Sequence, residues 1–163
     1  MNGANIMKNK KKVCLICAAG GHLEQIRQLK SVIEEYDCYY MVNRTKATEK
    51  MQVKKHIISA QSNKNNVLFV ITLIWVFIQQ LFLFILENPD VIITTGAGFV
   101  IPTCIYGKIF GKKVIYIETF AKINKPSETG KFIYKHKIAD LFIVQHKKCL
   151  DFFPEATLGG WIY

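Results

Sequence analysis

Gly20, Gly21 and His22 stand where an apolar run, Val13–Cys17, meets an amphipathic one. A glycine pair in a strand-to-helix turn lets backbone N–H groups approach an anion, and the helix that follows points its positive end at it. A dinucleotide-binding turn would go on to a third glycine and would close the second strand with an acidic residue. Here the pair ends in His22, and Asn43-Arg44 follows the second strand. Arg44 is a candidate for an adenosine 2′-phosphate, but the rest of that fingerprint is missing. Histidine accepts a proton near neutral pH. The turn therefore reads as an anion site with a base beside it, and the plainer alternative is that His22 caps its own helix.

Two more turns carry chemistry of the same kind. "TTGAGFVIP", Thr94–Pro102, sets Gly96 and Gly98 between an apolar run and a helix. "IETFAKINKPSETGK" places Glu118 at the end of another apolar run, followed by a basic loop. In an open parallel sheet, ligands bind at the carboxyl ends of the strands, and all three turns fall on that rim. Taken alone each is a common turn, and Glu118 has a solvated loop carboxylate as its plain reading. The five cysteines form no ligand cluster. Cys14 and Cys17, three apart on a strand, point to opposite faces, and the second pair that a zinc site needs is absent. They read as small buried hydrophobes of a reducing compartment. No metal and no cofactor is expected.

The elements that must hold these turns alternate. Strands are expected at Val13–Cys17, Cys38–Val42, His56–Ser59, Val91–Thr94, Lys113–Ile117 and Leu141–Val144. Leu23, Ile26, Leu29, Val32, Ile33 and Tyr36 recur at helical spacing with Glu24, Gln25, Gln28 and Glu35 opposite, so one amphipathic helix is expected there. Helices also fit Val100–Phe110 and Glu128–Ile138, the latter with Ser127 as N-cap. Alternation of this kind implies an α/β, Rossmann-like fold with a mostly parallel sheet, as one domain over residues 1–163.

Val67–Leu86 is twenty residues without a charge, long enough to cross a bilayer. Crossing would put the first and last strands on opposite sides of the membrane and leave neither half a closed sheet, so spanning is disfavoured. A helix apolar all round is buried in protein or lies against lipid. Buried crossover is one reading. The other, preferred here, is a helix sunk in the membrane interface, with Leu73, Trp75, Phe77 and Phe82 toward lipid and Lys54, Lys55 and Lys64 near anionic headgroups. No signal peptide is expected, because the run after Lys8–Lys12 is a short strand.

Net charge is +10, from 22 Lys+Arg against 12 Asp+Glu. That balance favours phosphorylated substrates, an acidic membrane surface or nucleic acid. Nucleic acid is set aside: the lysines are dispersed and no recognition motif is present. Beyond Pro154, "EATLGGWIY" shows no helix or strand pattern, which leaves Trp161, Ile162 and Tyr163 as anchors for a partner's pocket or as a tail folded over the chain's own sheet.

"LICAAGGHLEQI", the uncharged segment, "PDVIITTGAGFVIP", "GKKVIYIETFAKINKPSETGK" and "GGWIY" together resemble one family across nearly the whole chain. It comprises small bacterial capsular and exopolysaccharide proteins of the PssD/CpsF type, counterparts of the membrane-anchoring subunit in a eukaryotic UDP-GlcNAc transferase acting on dolichol diphosphate-GlcNAc. The turns are more distantly similar to the amino-terminal domain of the transferase that makes peptidoglycan lipid II. The resemblance implies the amino-terminal, acceptor-binding half of a GT-B glycosyltransferase, with a separate donor-binding subunit as partner and little activity alone. It implies a polyprenyl-diphosphate-linked sugar as acceptor, and a place on the cytoplasmic face of the plasma membrane. Gly20, Gly21, Gly96 and Gly98 would hold the acceptor diphosphate. His22 would take the acceptor's proton or position it, and Glu118 would orient His22 or bind a sugar hydroxyl. Ala18-Ala19 departs from the more polar or glycine residues often found in the family. A non-catalytic anchor or enhancer of a partner transferase is the alternative function.

Overall fold

The computed structural model describes residues 10–59 and 65–162. The strands β1 (Lys12–Cys17), β2 (Asp37–Asn43), β3 (Lys55–Ile58), β4 (Val91–Thr94), β5 (Lys113–Ile117), β6 (Leu141–Val144) and β7 (Thr157–Leu158) form one sheet in the order β3-β2-β1-β4-β5-β6-β7. Every pairing is parallel. Strands covered on both faces read as near-continuous apolar runs, and β1 shows it: Cys14 and Ile16 belong to one core cluster, Val13, Leu15 and Cys17 to the other. The two cysteines do face opposite ways, and burial pushes both thiols up to about 12.

The helices sort to the two faces. α1 (Gly21–Arg27) and α2 (Lys30–Glu35) cover one, through Leu23, Ile26, Val32 and Ile33. α4 (Asn66–Glu87), α5 (Ile101–Ile109) and α6 (Glu128–Lys135) cover the other, through Val76, Leu83, Phe84, Cys104 and Ile133. A short α3 (Lys46–Glu49) joins β2 to β3, closed by a Thr45–Thr48 capping box. The single helix expected over Leu23–Tyr36 is broken: α1 stops at Gln28, Leu29 leaves the helical conformation with ψ 50, and α2 starts afresh. No Pro or Gly marks the break, and both halves keep the same apolar face, so periodicity alone reads straight through it.

α4 is fixed at two levels. Gln79 accepts from Ser59 N (2.9 Å) and donates to Ile57 O (3.1 Å), at the carboxyl end of β3. Gln80 is fully buried, donating to Phe99 O (2.7 Å) and accepting from Thr103 N (3.1 Å) and Oγ1 (2.7 Å). These pins lie toward the sheet's carboxyl rim; Val76 beyond them still packs on the core, and Val67–Ile71 further along the helix are all exposed. At its other end Glu87 is buried against Lys12 (3.0 Å), Lys54 (2.8 Å) and His56 (2.8 Å). Burial works to raise that carboxyl, but the hydrogen bonds from Lys54, His56 and Lys12, with the charge of Lys12, outweigh it and hold it at about 2. Lys54 is therefore engaged by protein, as is Lys55, whose ammonium donates to Glu49 O and Met51 O. Neither is the free headgroup ligand expected from sequence, and Lys64 lies outside the described residues.

Candidate functional site

The order of strands reverses between β1 and β4, the switch point where open α/β sheets bind ligands. Two predicted turns meet there. In the first, Gly20 has φ 90, α1 starts at Gly21 without a side-chain cap, and the space in front of both glycines is open. Asn43 Oδ1 accepts from Ala19 N at 2.7 Å, which ties the β1 turn to the end of β2. In the second, Thr94 Oγ1 accepts from Gly96 N (3.0 Å), and Thr95 Oγ1 donates to His22 O (3.1 Å).

Gly96 has to be glycine for two reasons. Its φ is 104, and a β-carbon there would stand 2.9 Å from Tyr116 Oη and 3.6 Å from His22 Cε1. The imidazole therefore lies directly over the second turn. Ala97 has φ 83 and ψ 142, a conformation that costs a non-glycine residue about 1–3 kcal/mol and clusters at functional sites. Gly98 is exposed and opens the same rim. His22 Nδ1 is sealed from solvent without a hydrogen-bond partner among the described residues. Buried unpaired nitrogens are rare in folded proteins and mark places that a ligand or ordered water completes. Burial pulls the His22 pKa below the usual histidine range, only partly offset by a hydrogen bond between the ring and the Thr95 backbone, so the shift favours the neutral ring.

Glu118 is neither a solvated carboxylate nor a partner of His22. It is 1% exposed; Thr119 N donates to Oε1 (3.2 Å) and Ser127 Oγ to Oε2 (2.9 Å). Since the Ser127 proton goes to Glu118, the 3.1 Å contact with Tyr116 Oη has the tyrosine donating. Ser127 also caps α6 by accepting from Gly130 N at 2.9 Å, and a methyl on Gly130 would fall on the Glu118 carboxylate. The expectations that Glu118 orients His22 or reaches a sugar hydroxyl are thus corrected: α6 seals it. Its contribution runs through Ser127 and Tyr116 to the floor beneath Gly96. Burial pushes its carboxyl up, against the hydrogen bonds that favour its charge.

Two residues missed as site elements join the rim. Buried Gln25 donates to Thr119 Oγ1 (3.1 Å) and accepts from Phe120 N (3.1 Å) and Gln145 Nε2 (2.8 Å). Gln145 donates also to Glu118 O (3.0 Å) and accepts from Ile162 N (3.2 Å). Gln25 had been placed on a solvated helix face; a glutamine among Glu24 and Arg27 carries no signal that it turns inward.

Of the apolar residues, Trp75 (56%) and Phe82 (65%) are exposed on α4. Leu73 and Phe77 are half-buried, lining an open apolar groove with Leu81 and Tyr106, whose hydroxyl donates to Phe77 O at 3.0 Å. The tail does have a strand. β7 pairs with β6, too short for alternation to reveal. Ile162 packs on the chain's own core, while Trp161 stays 68% exposed, edge-on to Phe120 at 5.3 Å. Tyr163 lies outside the described residues.

These features define a Rossmann-like α/β domain of the GT-B kind. It superposes on MurG of Acinetobacter baumannii with a TM-score of 0.64 at 14% identity, over 83% of this chain and 41% of that one. It superposes on UDP-N-acetylglucosamine 2-epimerase of Rickettsia bellii with a TM-score of 0.68 at 11% identity, over 94% of this chain and 45% of that one. At such identities the likeness concerns fold alone. The family model described as "Oligosaccharide biosynthesis protein Alg14 like" matches residues 13–162, and the chain belongs to that family. The UDP-N-acetylglucosamine transferase subunit ALG14 of Homo sapiens is 30% identical over 81 residues, and that of Rattus norvegicus likewise. Each match covers 46% of this chain and 37% of the relative.

Proposed function

We propose that this chain is the acceptor-binding, membrane-associated subunit of a two-component UDP-sugar glycosyltransferase acting on a polyprenyl-diphosphate-linked sugar. The observation that carries the reading is His22: a neutral imidazole with an unpaired ring nitrogen, laid over a strained glycine turn at the switch point of a GT-B-like sheet. Transfer requires the acceptor hydroxyl to lose its proton as its oxygen bonds the anomeric carbon, while the bond from that carbon to UDP breaks and its electron pair leaves with UDP. His22 takes the proton. Gly20, Gly21, Gly96 and Gly98 line the space for the acceptor diphosphate. The relatives' being UDP-N-acetylglucosamine transferase subunits supports a UDP-GlcNAc donor and a partner subunit. Trp161 is the tail side chain that would meet that partner, a reading supported by its exposure while Ile162 packs on the chain's own core. The narrower capsular and exopolysaccharide assignment rests on the sequence motifs.

The test is transfer by the chain together with its donor subunit, using a polyprenyl-diphosphate-sugar acceptor. His22→Ala is expected to lower transfer about 10²-fold or more, the scale of general-base catalysis, with complex formation intact. Because burial lowers the His22 pKa, the acid limb of the wild-type kcat/KM profile is expected below the ordinary histidine value of 6.5. Full activity of the variant complex removes His22 from the mechanism and favours the anchor function.

A further inference from the structure

We propose that the carboxyl end of α5 is a second bilayer contact, with Ile109 and Phe110 entering the apolar layer and Lys108 and Lys112 meeting anionic headgroups. This rests on the reading of α4 as a lipid-facing helix, and extends it to residues on another element.

The buried side of α5 is made by Pro102, Thr103, Cys104 and Gly107, which face the sheet. Ile109 and Phe110 lie off that face, 70% and 51% exposed. Phe110 is held in place: its N–H donates to Tyr106 O at 2.9 Å, and its ring packs on Phe84 of α4 with centroids 5.5 Å apart. On the α4 side of this contact, Phe82, Ile85 and Leu86 are each more than 60% exposed. The apolar surface of α4 therefore runs on to the end of α5 without a break.

Charge says what covers it. A groove of about 430 Å³ between the two helices is lined by Phe84, Ile85 and Phe110, with Asn88 and Lys112 as its polar members. That is the polarity of an acidic phospholipid, with chain against the rings and phosphate at the ammonium. The Nζ groups of Lys108 and Lys112 make no hydrogen bond or ion pair among the described residues. The acids of this corner have closer partners, Glu87 in Lys12, Lys54 and His56, and Asp140 in Lys113 and Val114 N, with the charge of Lys108 acting on Asp140 only as the weakest of its causes. A second copy of this chain would bring another net +10 against these lysines. An anionic bilayer supplies the opposite charge.

The test is sedimentation of this chain with vesicles of phosphatidylcholine, alone or mixed with phosphatidylglycerol. Lys108→Gln with Lys112→Gln is expected to weaken binding to the mixed vesicles about 30-fold, as about 1 kcal/mol per basic residue at an anionic surface implies, and to leave binding to phosphatidylcholine unchanged. Ile109→Ser with Phe110→Ser is expected to weaken binding to both. Ile109→Ser alone, at the more exposed position, serves should the pair disturb folding as read by the melting temperature. Trp75→Asp with Phe82→Asp tests the α4 reading separately. Release by the α4 pair with wild-type binding by every α5 variant overturns this inference and leaves that reading standing. Wild-type binding by the α4 pair overturns the reading itself. A dimer in solution that the Ile109 and Phe110 changes convert to monomer also overturns the inference, making this face a contact between copies.

Discussion

The two edges of the sheet are built on opposite electrostatics. At the amino edge Glu87 is surrounded by Lys12, Lys54 and His56, every acceptor oxygen is used, and the carboxyl is held at about 2. At the carboxyl edge Glu118 is as well buried, and among the described residues its hydrogen-bond donors are the neutral Ser127 and Thr119 amide, with Lys122 acting only weakly on it, so burial pushes its carboxyl up. Above it His22 keeps a ring nitrogen unpaired and Ala97 keeps a strained backbone. One edge spends its charges on fastening α4. The other leaves a ring nitrogen unpaired beside the open glycine turns, which is the condition for binding something, whereas the Tyr39 hydroxyl, unpaired among the described residues beside the Glu87 cluster, is shut inside the core.

The largest effect expected from breaking this contrast is at Glu87. Its folded pKa lies below the unfolded value of 4.5, so its contribution is complete above about pH 4.5 and is lost as pH falls toward 2. A shift of that size corresponds to about 3 kcal/mol. Glu87→Gln is expected to lose about that much at pH 7 in urea unfolding, and to flatten the acid fall in stability between those pH values. His22→Ala, by contrast, is expected to change stability by only about 1 kcal/mol, because it removes a ring whose Nδ1 is already unpaired among the described residues. Equal losses from the two variants would erase the distinction between the edges.

A smaller effect sharpens it at Glu118. A carboxyl raised in the folded state contributes stability below its unfolded value and loses it as pH rises through the folded one. Glu118→Gln removes that loss but gives up one of two hydrogen bonds. Unfolding midpoints at pH 7 are therefore expected within about 1 kcal/mol of wild type, with the variant gaining relative to wild type as pH rises. Transfer activity should fall far less than for His22→Ala, as suits a residue acting through Ser127. The smallest change is Ala97→Gly, which relieves the positive φ and is expected to stabilise by about 1 kcal/mol at most, since glycine's extra freedom in the unfolded chain offsets part of the gain.

Patterning in the residues was enough for six of the strands, for the single rim that collects the three turns and for the long apolar helix, because period and turn chemistry are local properties. β7 was beyond its reach, since two residues flanked by Pro154 and Gly159 show no alternation. The break at Leu29 was hidden because both helical halves keep one apolar face. His22 and the glycine turns were legible as candidate residues from their types alone. Their meeting over Gly96, and the sealing of Glu118 beneath Gly130, were decided by the crossing of chain segments far apart in sequence. The same holds for Gln25 and Gln145, an amide pair 120 residues apart. A glutamine's type says only that it can hydrogen-bond; packing decides whether water or another loop is its partner. The sequence by itself determined the strand-and-helix alternation, an uncharged apolar segment long enough to cross a bilayer, and the chemical types on the rim. Tertiary structure decided which charges are consumed and which groups remain unpaired, because burial and distance, rather than identity, set the energy of a polar group.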